Sequence, residues 1–237
     1  MAEKRQTGPE EEPQPLEMVL QKIEPAGVQD GYHVIRLHTS RGLVLAHYYE
    51  ARGAKQAVVW IGGIGGGFDT PAKGLYPVLA QQLVPEGVSS LHVRYRHPTI
   101  LEEAVLDVLA ALAFLQAVGV ESAAIVGHSF GGAVAIWTAT LSPLAKAVVT
   151  LATQSYGTAM AGQLSPRPLL LIHGAADTVL PPGASEQVYQ RARPPRELKL
   201  YPDAGHALDE IADELQTFLG SWLLGKLQAP SPAAPHL

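Results

Sequence analysis

Residues 123–132 read Ala-Ala-Ile-Val-Gly-His-Ser-Phe-Gly-Gly, an apolar run that passes through glycines. Ala123–Val126 has no polar side to turn toward water, so as a strand it must be covered on both faces. Gly127 ends the apolar run, and a helical pattern follows from Gly131 to about Thr140. A buried strand that passes through glycines into a helix is one unit of a parallel α/β sheet.

The same alternation extends in both directions. Downstream, short apolar strands are expected at Ala147–Ala152 and Pro168–His173, then at Glu197–Tyr201, with helices near Ser185–Arg191 and Leu208–Leu224. Upstream, strands at Gln56–Ile61 and Ser89–Tyr95 alternate with helices at Leu75–Leu83 and Ile100–Val118. The chain starts differently. Tyr32–Thr39 and Leu43–Tyr49 alternate apolar with polar residues about an Arg41-Gly42 turn, the pattern of a hairpin. The expected architecture is therefore α/β: a doubly wound, mostly parallel sheet with helices on both faces and an antiparallel beginning. Residues 16–226 are read as one domain, between disordered tails at 1–15 and 227–237, the second rich in proline. Only about 15 residues, Thr153–Arg167, separate two of the later strands, too few for a large lid.

Composition narrows the function classes. With no cysteine there is no disulfide, thiolate metal site or cysteine nucleophile. A net charge of -5 argues against a nucleic-acid partner. The Glu- and Pro-rich N-terminus lacks the apolar core of a signal peptide, and no apolar run reaches the ~18 residues that span a bilayer. A protein without a membrane partner, in the cytoplasm, is expected. Nothing in the pattern bears on oligomeric state.

In a doubly wound sheet, ligands sit beyond the carboxyl ends of the strands, and there the chemistry-bearing residues gather. Ser129 lies in Gly127-His128-Ser129-Phe130-Gly131, between strand and helix. A serine hydroxyl is a weak nucleophile that must be exposed and paired with a base. A sharp turn exposes it, and glycines on either side make room for the crowded backbone. With 23 glycines in the chain, G-x-S-x-G alone is a modest signal, and an ordinary Gly-rich turn is the plainer reading. Asp177 follows the strand at 168–173, and His206 follows the strand at 197–201. Taken singly, Asp177 reads as a turn residue before Pro181-Pro182, and His206 as a cap on the last helix. Together they fall in the order serine, acid, histidine, with Ser129 as nucleophile, His206 as base and Asp177 orienting the base. His128 and His173 are read as supporting residues.

A tetrahedral intermediate needs two preorganised donors. One is expected to be the N–H of Phe130, after the nucleophile. The other comes from Gly62-Gly63-Ile64-Gly65-Gly66-Gly67, with Ile64 N–H the candidate and Gly63 N–H the alternative. That cluster does not fit a dinucleotide fingerprint, since counting from Gly63 the sixth position is Phe68. Nor is it a phosphate loop, which would end in Gly-Lys-Ser or Gly-Lys-Thr. Phe68, Gln154 and Tyr156 are candidate substrate-binding residues, with plain loop packing the alternative. Arg94, Tyr95 and Arg96 leave a strand at the same edge, where a cation would suit an acidic substrate.

The stretches V-V-W-I-G-G-I-G-G-G, G-H-S-F-G-G, H-G-A-A-D-T-V-L-P and D-A-G-H resemble those of the α/β-hydrolase superfamily, over about Tyr32–Leu224. The compact size and Gly-rich loop look most like small serine carboxylesterases and dienelactone-hydrolase-like proteins. Dienelactone hydrolases proper use a cysteine nucleophile; with Ser129 in that place, the resemblance implies a serine esterase. It implies a small acyl-ester substrate, no cofactor and no metal. A thioesterase, acyltransferase or small peptidase would use the same triad, and a non-catalytic binding module can share the fold.

Overall fold

The structure, a computed structural model, describes residues 17–228. The tail expected at 1–15 lies outside the described residues, as does the one expected at 227–237 except for its first two residues; Leu227 is instead the buried last residue of the final helix. In chain order the elements are β1 (Leu20–Gln29), β2 (Tyr32–Thr39), β3 (Gly42–Tyr49), β4 (Gln56–Ile61), α1 (Leu75–Leu83), β5 (Val88–Arg94) and α2 (Leu101–Ala117). Then come β6 (Ser122–His128), α3 (Phe130–Leu141), β7 (Ala145–Leu151), β8 (Leu169–Gly174), α4 (Gly183–Arg191), β9 (Arg196–Tyr201) and α5 (Ala212–Leu227). Short 3-10 helices occupy Ala159–Gln163 and Asp209–Ile211.

The strands form one sheet in the order β1-β2-β3-β5-β4-β6-β7-β8-β9. β1, β2, β3 and β5 pair antiparallel; from β5 through β4 to β9 every pair is parallel. The apolar strands are explained by two cores. On one face, Val59, Ile61, Ile125 and Val148 pack beneath α2 and α3. On the other, Val58, Trp60, Val126 and Val149 pack beneath α1 and α5. A parallel strand between two such layers has no solvent face, hence no polar alternation.

The strand order reverses at β4: the chain steps from β4 to β5 on one side, then returns to β6 on the other. Helix α1, after β4, covers one face, while α3, after β6, covers the opposite face. The connections leaving two adjacent strands thus diverge and leave a crevice at their carboxyl ends. The Gly62–Gly67 loop and Ser129 flank that crevice.

One strand escaped the sequence pattern. β1 is an edge strand carrying Pro25 and Gly27, with a register shift between Pro25 and Val28. Proline and glycine break a strand pattern but are tolerated at an edge and at a bulge. The segment Thr153–Arg167 holds only the 3-10 helix Ala159–Gln163.

Candidate active site

Strand β6 delivers Ser129 to the crevice with φ 55° and ψ −119°. This is a left-handed backbone that a non-glycine residue adopts at a cost of about 1–3 kcal/mol. The surroundings hold it there. The Ser129 N–H donates to Leu151 O at 2.8 Å, and the Gly132 N–H donates to Ser129 O at 3.0 Å, closing the first turn of α3. The flanking glycines are required by close approach. A Cβ on Gly127 would collide with the carbonyl of Gly131, and one on Gly131 would collide with the carbonyl of Gly62. Helix α3 therefore starts pressed against both its own strand and the loop after β4. Phe130 is its first residue, so the Phe130 N–H belongs to the free first turn.

The Gly62–Gly67 loop lies directly over Ser129. A Cβ on Gly63 would sit 3.6 Å from Ser129 Cβ and 3.6 Å from His128 Nδ1. Gly63 is buried, whereas the Ile64 side chain stands 61% exposed at the rim. Gly66 N–H donates to Gly63 O at 3.2 Å, bending the loop back on itself. Tyr95 donates its hydroxyl proton to Gly62 O at 3.2 Å, tying the loop to the end of β5.

Asp177 and His206 arrive from loops that are stitched together. After β8, Ala175 N–H donates to the O of Tyr201, the last residue of β9, and Ala176 N–H to Ala204 O in the segment that follows. His206 Nδ1 then lies 2.7 Å from Asp177 Oδ2. Asp177 Oδ1 accepts the N–H groups of Val179 (2.8 Å) and Leu180 (2.9 Å). Burial by itself would raise the Asp177 pKa, but hydrogen bonds from His206, Leu180 and Val179 outweigh it and hold the carboxyl below its ordinary value. The His206 loop is fixed from several sides: Ala72 N–H to Ala207 O (2.7 Å), Gly205 N–H to Glu210 Oε2 (3.0 Å), and His128 Nε2 to His206 O (2.9 Å).

His128 and His173 both touch this assembly. Burial pushes the His128 imidazole down to about 4, against the opposing effect of its hydrogen bond to the His206 carbonyl. It is therefore neutral at pH 7 and donates through Nε2 to the His206 carbonyl, its ring 4.8 Å from that of His206. His173 reaches Asp177 Oδ2 itself, at 3.1 Å. Among the described residues, Ser129 Oγ and His206 Nε2 form no hydrogen bond with each other or with a third group. Such contacts often tighten only when substrate binds.

The remaining candidates are placed differently. Phe68 stacks on His47, ring centroids 3.5 Å apart, and meets His92 edge-on at 5.2 Å, so its ring packs on the α1 side of the sheet. Gln154 donates from Nε2 to Tyr156 O at 3.1 Å, and the Tyr156 side chain is 79% exposed. Arg96 is not a free cation. Its guanidinium, 5% exposed, binds Asp107 and Glu103 and donates to Arg41 O. Arg94 lines a surface cavity of about 400 Å³ together with Arg41, Leu43, Leu45, Arg96 and His97. Among the described residues no His, Asp and Glu cluster could hold a metal, and no helix is long and apolar enough to cross a membrane.

Sequence reasoning missed Ser185, Glu210 and the loop-fixing role of Tyr95. None sits in a motif, because each acts through a contact between distant segments. His173 carried a faint signal, standing four residues before Asp177 at the end of a strand.

Comparison with known proteins places this architecture. The family model described as the dienelactone hydrolase family matches residues 89–216, more than half of the chain and all three of Ser129, Asp177 and His206. Among curated proteins, the chain is 50% identical over 50 residues to the uncharacterized protein YfhR of Escherichia coli (strain K12). That stretch is 21% of this chain and only 17% of the relative's length. Among solved structures it is similar to the esterase domain of a Rhodothermus marinus protein, at a TM-score of 0.68 and 18% identity, over 87% of this chain and 100% of that one. It is also similar to Est1E from Butyrivibrio proteoclasticus, at 0.70 and 14%, over 83% and 99%. A third is the Pyrococcus furiosus esterase Pf2001, at 0.66 and 18%, over 86% and 98%. At these identities the structural likeness is one of fold.

Proposed function

The chain belongs to the dienelactone hydrolase family, and from that premise we propose that it is a serine hydrolase cleaving carboxylic esters through an acyl-enzyme on Ser129. The observation that carries the reading is the convergence of four loops. A strained serine at the start of α3, a glycine loop lying over it, and an Asp177–His206 pair meet at the switch point of the sheet.

In the proposed reaction Ser129 Oγ attacks the acyl carbonyl while His206 Nε2 takes its proton. Asp177 fixes the tautomer through Nδ1–H and stabilises the imidazolium. The N–H of Phe130 and that of Ile64, or alternatively Gly63, bind the developing oxyanion. Collapse expels the alcohol, which receives the proton from His206. Water then attacks the acyl-enzyme by the same base, the Ser129–acyl bond breaks, and the carboxylic acid leaves. No step calls on a metal or a cofactor. Residues 16–226 act as one domain, and the substrate is a small acyl ester in the cytoplasm. Phe68, Gln154 and Tyr156 remain candidates for its contacts, Tyr156 by virtue of its exposure.

The test is mass spectrometry of the intact protein after a fluorophosphonate probe, alongside p-nitrophenyl acetate and butyrate turnover. One adduct on Ser129 is expected, and Ser129→Ala should remove it and cut turnover at least about 10³-fold. Folded protein that takes no adduct and turns over no ester would favour a binding module. Turnover of thioesters or amides in preference to esters would move the assignment to a thioesterase or peptidase.

A further inference from the structure

The Asp177 carboxylate is shared by two histidines. Oδ2 lies 2.7 Å from His206 Nδ1 and 3.1 Å from His173 Nε2. The same Nε2 is 3.0 Å from Leu180 O, and His173 Nδ1 is 2.6 Å from Ser185 Oγ. Both His173 and Ser185 have no exposed surface.

The donor roles follow from the partners. A carbonyl oxygen and a carboxylate oxygen only accept, so His173 Nε2 carries a hydrogen and donates to both Leu180 O and Asp177 Oδ2. A neutral ring then has its lone pair on Nδ1, and Ser185, which has both a donor and an acceptor, donates its hydroxyl proton there. Leu180 closes the ring of contacts, since its N–H donates to Asp177 Oδ1 while its carbonyl accepts from His173. Every polar atom in this buried group is satisfied by one tautomer of a neutral His173.

We infer that His173, its tautomer set by Ser185, is a positioning residue of the reaction: it holds the Asp177 carboxylate plane so that Oδ2 faces His206, and it limits how strongly that oxygen attracts the His206 N–H. The inference rests on the serine-hydrolase reading for its kinetic consequence, but not for its tautomer. A neutral His173 leaves the Asp177 charge to the imidazolium that forms on His206. The second donor also draws electron density from Oδ2, so removing it makes Oδ2 a stronger acceptor for His206 alone. The titratable groups facing His206 are Asp177 from the loop after β8, His128 from the end of β6 and, across the carboxylate, His173 from β8. Glu210 faces the same loop but is bound to the Gly205 N–H.

The experiment compares wild type with His173→Leu, His173→Gln and Ser185→Ala, in two arms. In the kinetic arm, His173→Leu lowers kcat about tenfold to a hundredfold with little change in KM, and moves the acid limb of kcat/KM to higher pH. His173→Gln, which retains an N–H donor at that distance, brings the limb back toward wild type. A limb that stays put in His173→Leu, with kcat lost, means a structural role alone and overturns the inference. Should His173→Leu not fold, Ser185→Ala takes its place. That variant removes one small buried hydroxyl and should show the same kinetic direction in weaker form, and an unchanged kcat and limb overturns the inference. In the second arm, ¹⁵N-histidine NMR of the wild type should show His173 as the Nε2–H tautomer, with Nδ1 unprotonated. A charged His173, or an Nδ1–H tautomer, overturns the inference whatever the substrate. Absence of any esterase activity with the expected His173 signals would instead count against the serine-hydrolase reading.

Discussion

His206 Nδ1 sits 2.7 Å from Asp177 Oδ2, although the two residues leave the sheet on neighbouring strands separated by α4. Backbone bonds from Ala175 to Tyr201 at the end of β9 and from Ala176 to Ala204 just beyond it hold the two loops together. The pairing is thus set by the backbone, and the side chains complete it.

The consequence for Asp177→Asn is specific. Oδ1 already accepts two backbone N–H groups, so the amide of asparagine must turn its oxygen to that side. Its NH₂ then points at the N–H groups of His206 and His173, where only an acceptor serves. The His206 tautomer is expected to reverse, and kcat to fall roughly 10⁴-fold, measured with p-nitrophenyl esters on protein that still unfolds cooperatively. A loss below tenfold would remove Asp177 from the mechanism.

Gly131→Ala tests the crossing of α3 and the Gly62–Gly67 loop. The added methyl collides with Gly62 O and lies 3.1 Å from the Tyr95 hydroxyl. Overpacking of this kind costs about 1–3 kcal/mol, a fall in Tm of several degrees for a chain of this size. The glycine loop moves with it, so kcat should drop well beyond what the lost stability explains. Calorimetry and steady-state kinetics on the same sample separate the two effects. Unchanged kcat would mean that the loop supplies no oxyanion donor.

Acid stability should depend on His92. It is 3% exposed, lies between Tyr76, Phe68 and His47, and burial pushes its imidazole down to about 3, with His47 adding to the effect. The unfolded chain therefore takes up this proton first. The stability tied to it is complete above about pH 6.5 and is lost as pH falls toward 3, at up to ~1.4 kcal/mol per pH unit. His128, pushed down to about 4, acts in the same direction. Acid titration followed by circular dichroism should place the unfolding midpoint of His92→Phe at lower pH than wild type. A midpoint unmoved or raised would contradict a neutral buried His92.

Much of the fold is legible because strand and helix patterns here are local. Tyr32–Thr39, Gln56–Ile61 and Leu75–Leu83 have the bounds their patterns give. The last helix begins later than its apolar pattern suggests, at Ala212 rather than near Leu208. Leu208 takes φ 60°, and Glu210 reaches back to the Gly205 N–H, so a 3-10 turn at Asp209–Ile211 precedes the helix. Phe68 shows the same limit. As a loop residue beside the glycines it suits a substrate contact, but whether its ring faces the crevice or His47 depends on residues about twenty positions away.

Legible in the sequence alone are the α/β class, the succession of strands and helices along the chain from β2 onward, and the three residues standing just past strand ends. These follow from periodicity, from glycines that admit a sharp turn, and from the order serine, acid, histidine. Tertiary structure alone decided which oxygen of Asp177 meets His206, that His173 and Ser185 share in holding it, and that Arg96 is neutralised by Asp107 and Glu103. The reason is physical: a hydrogen bond depends on ångström-scale direction between groups far apart in sequence, and no local pattern carries that information.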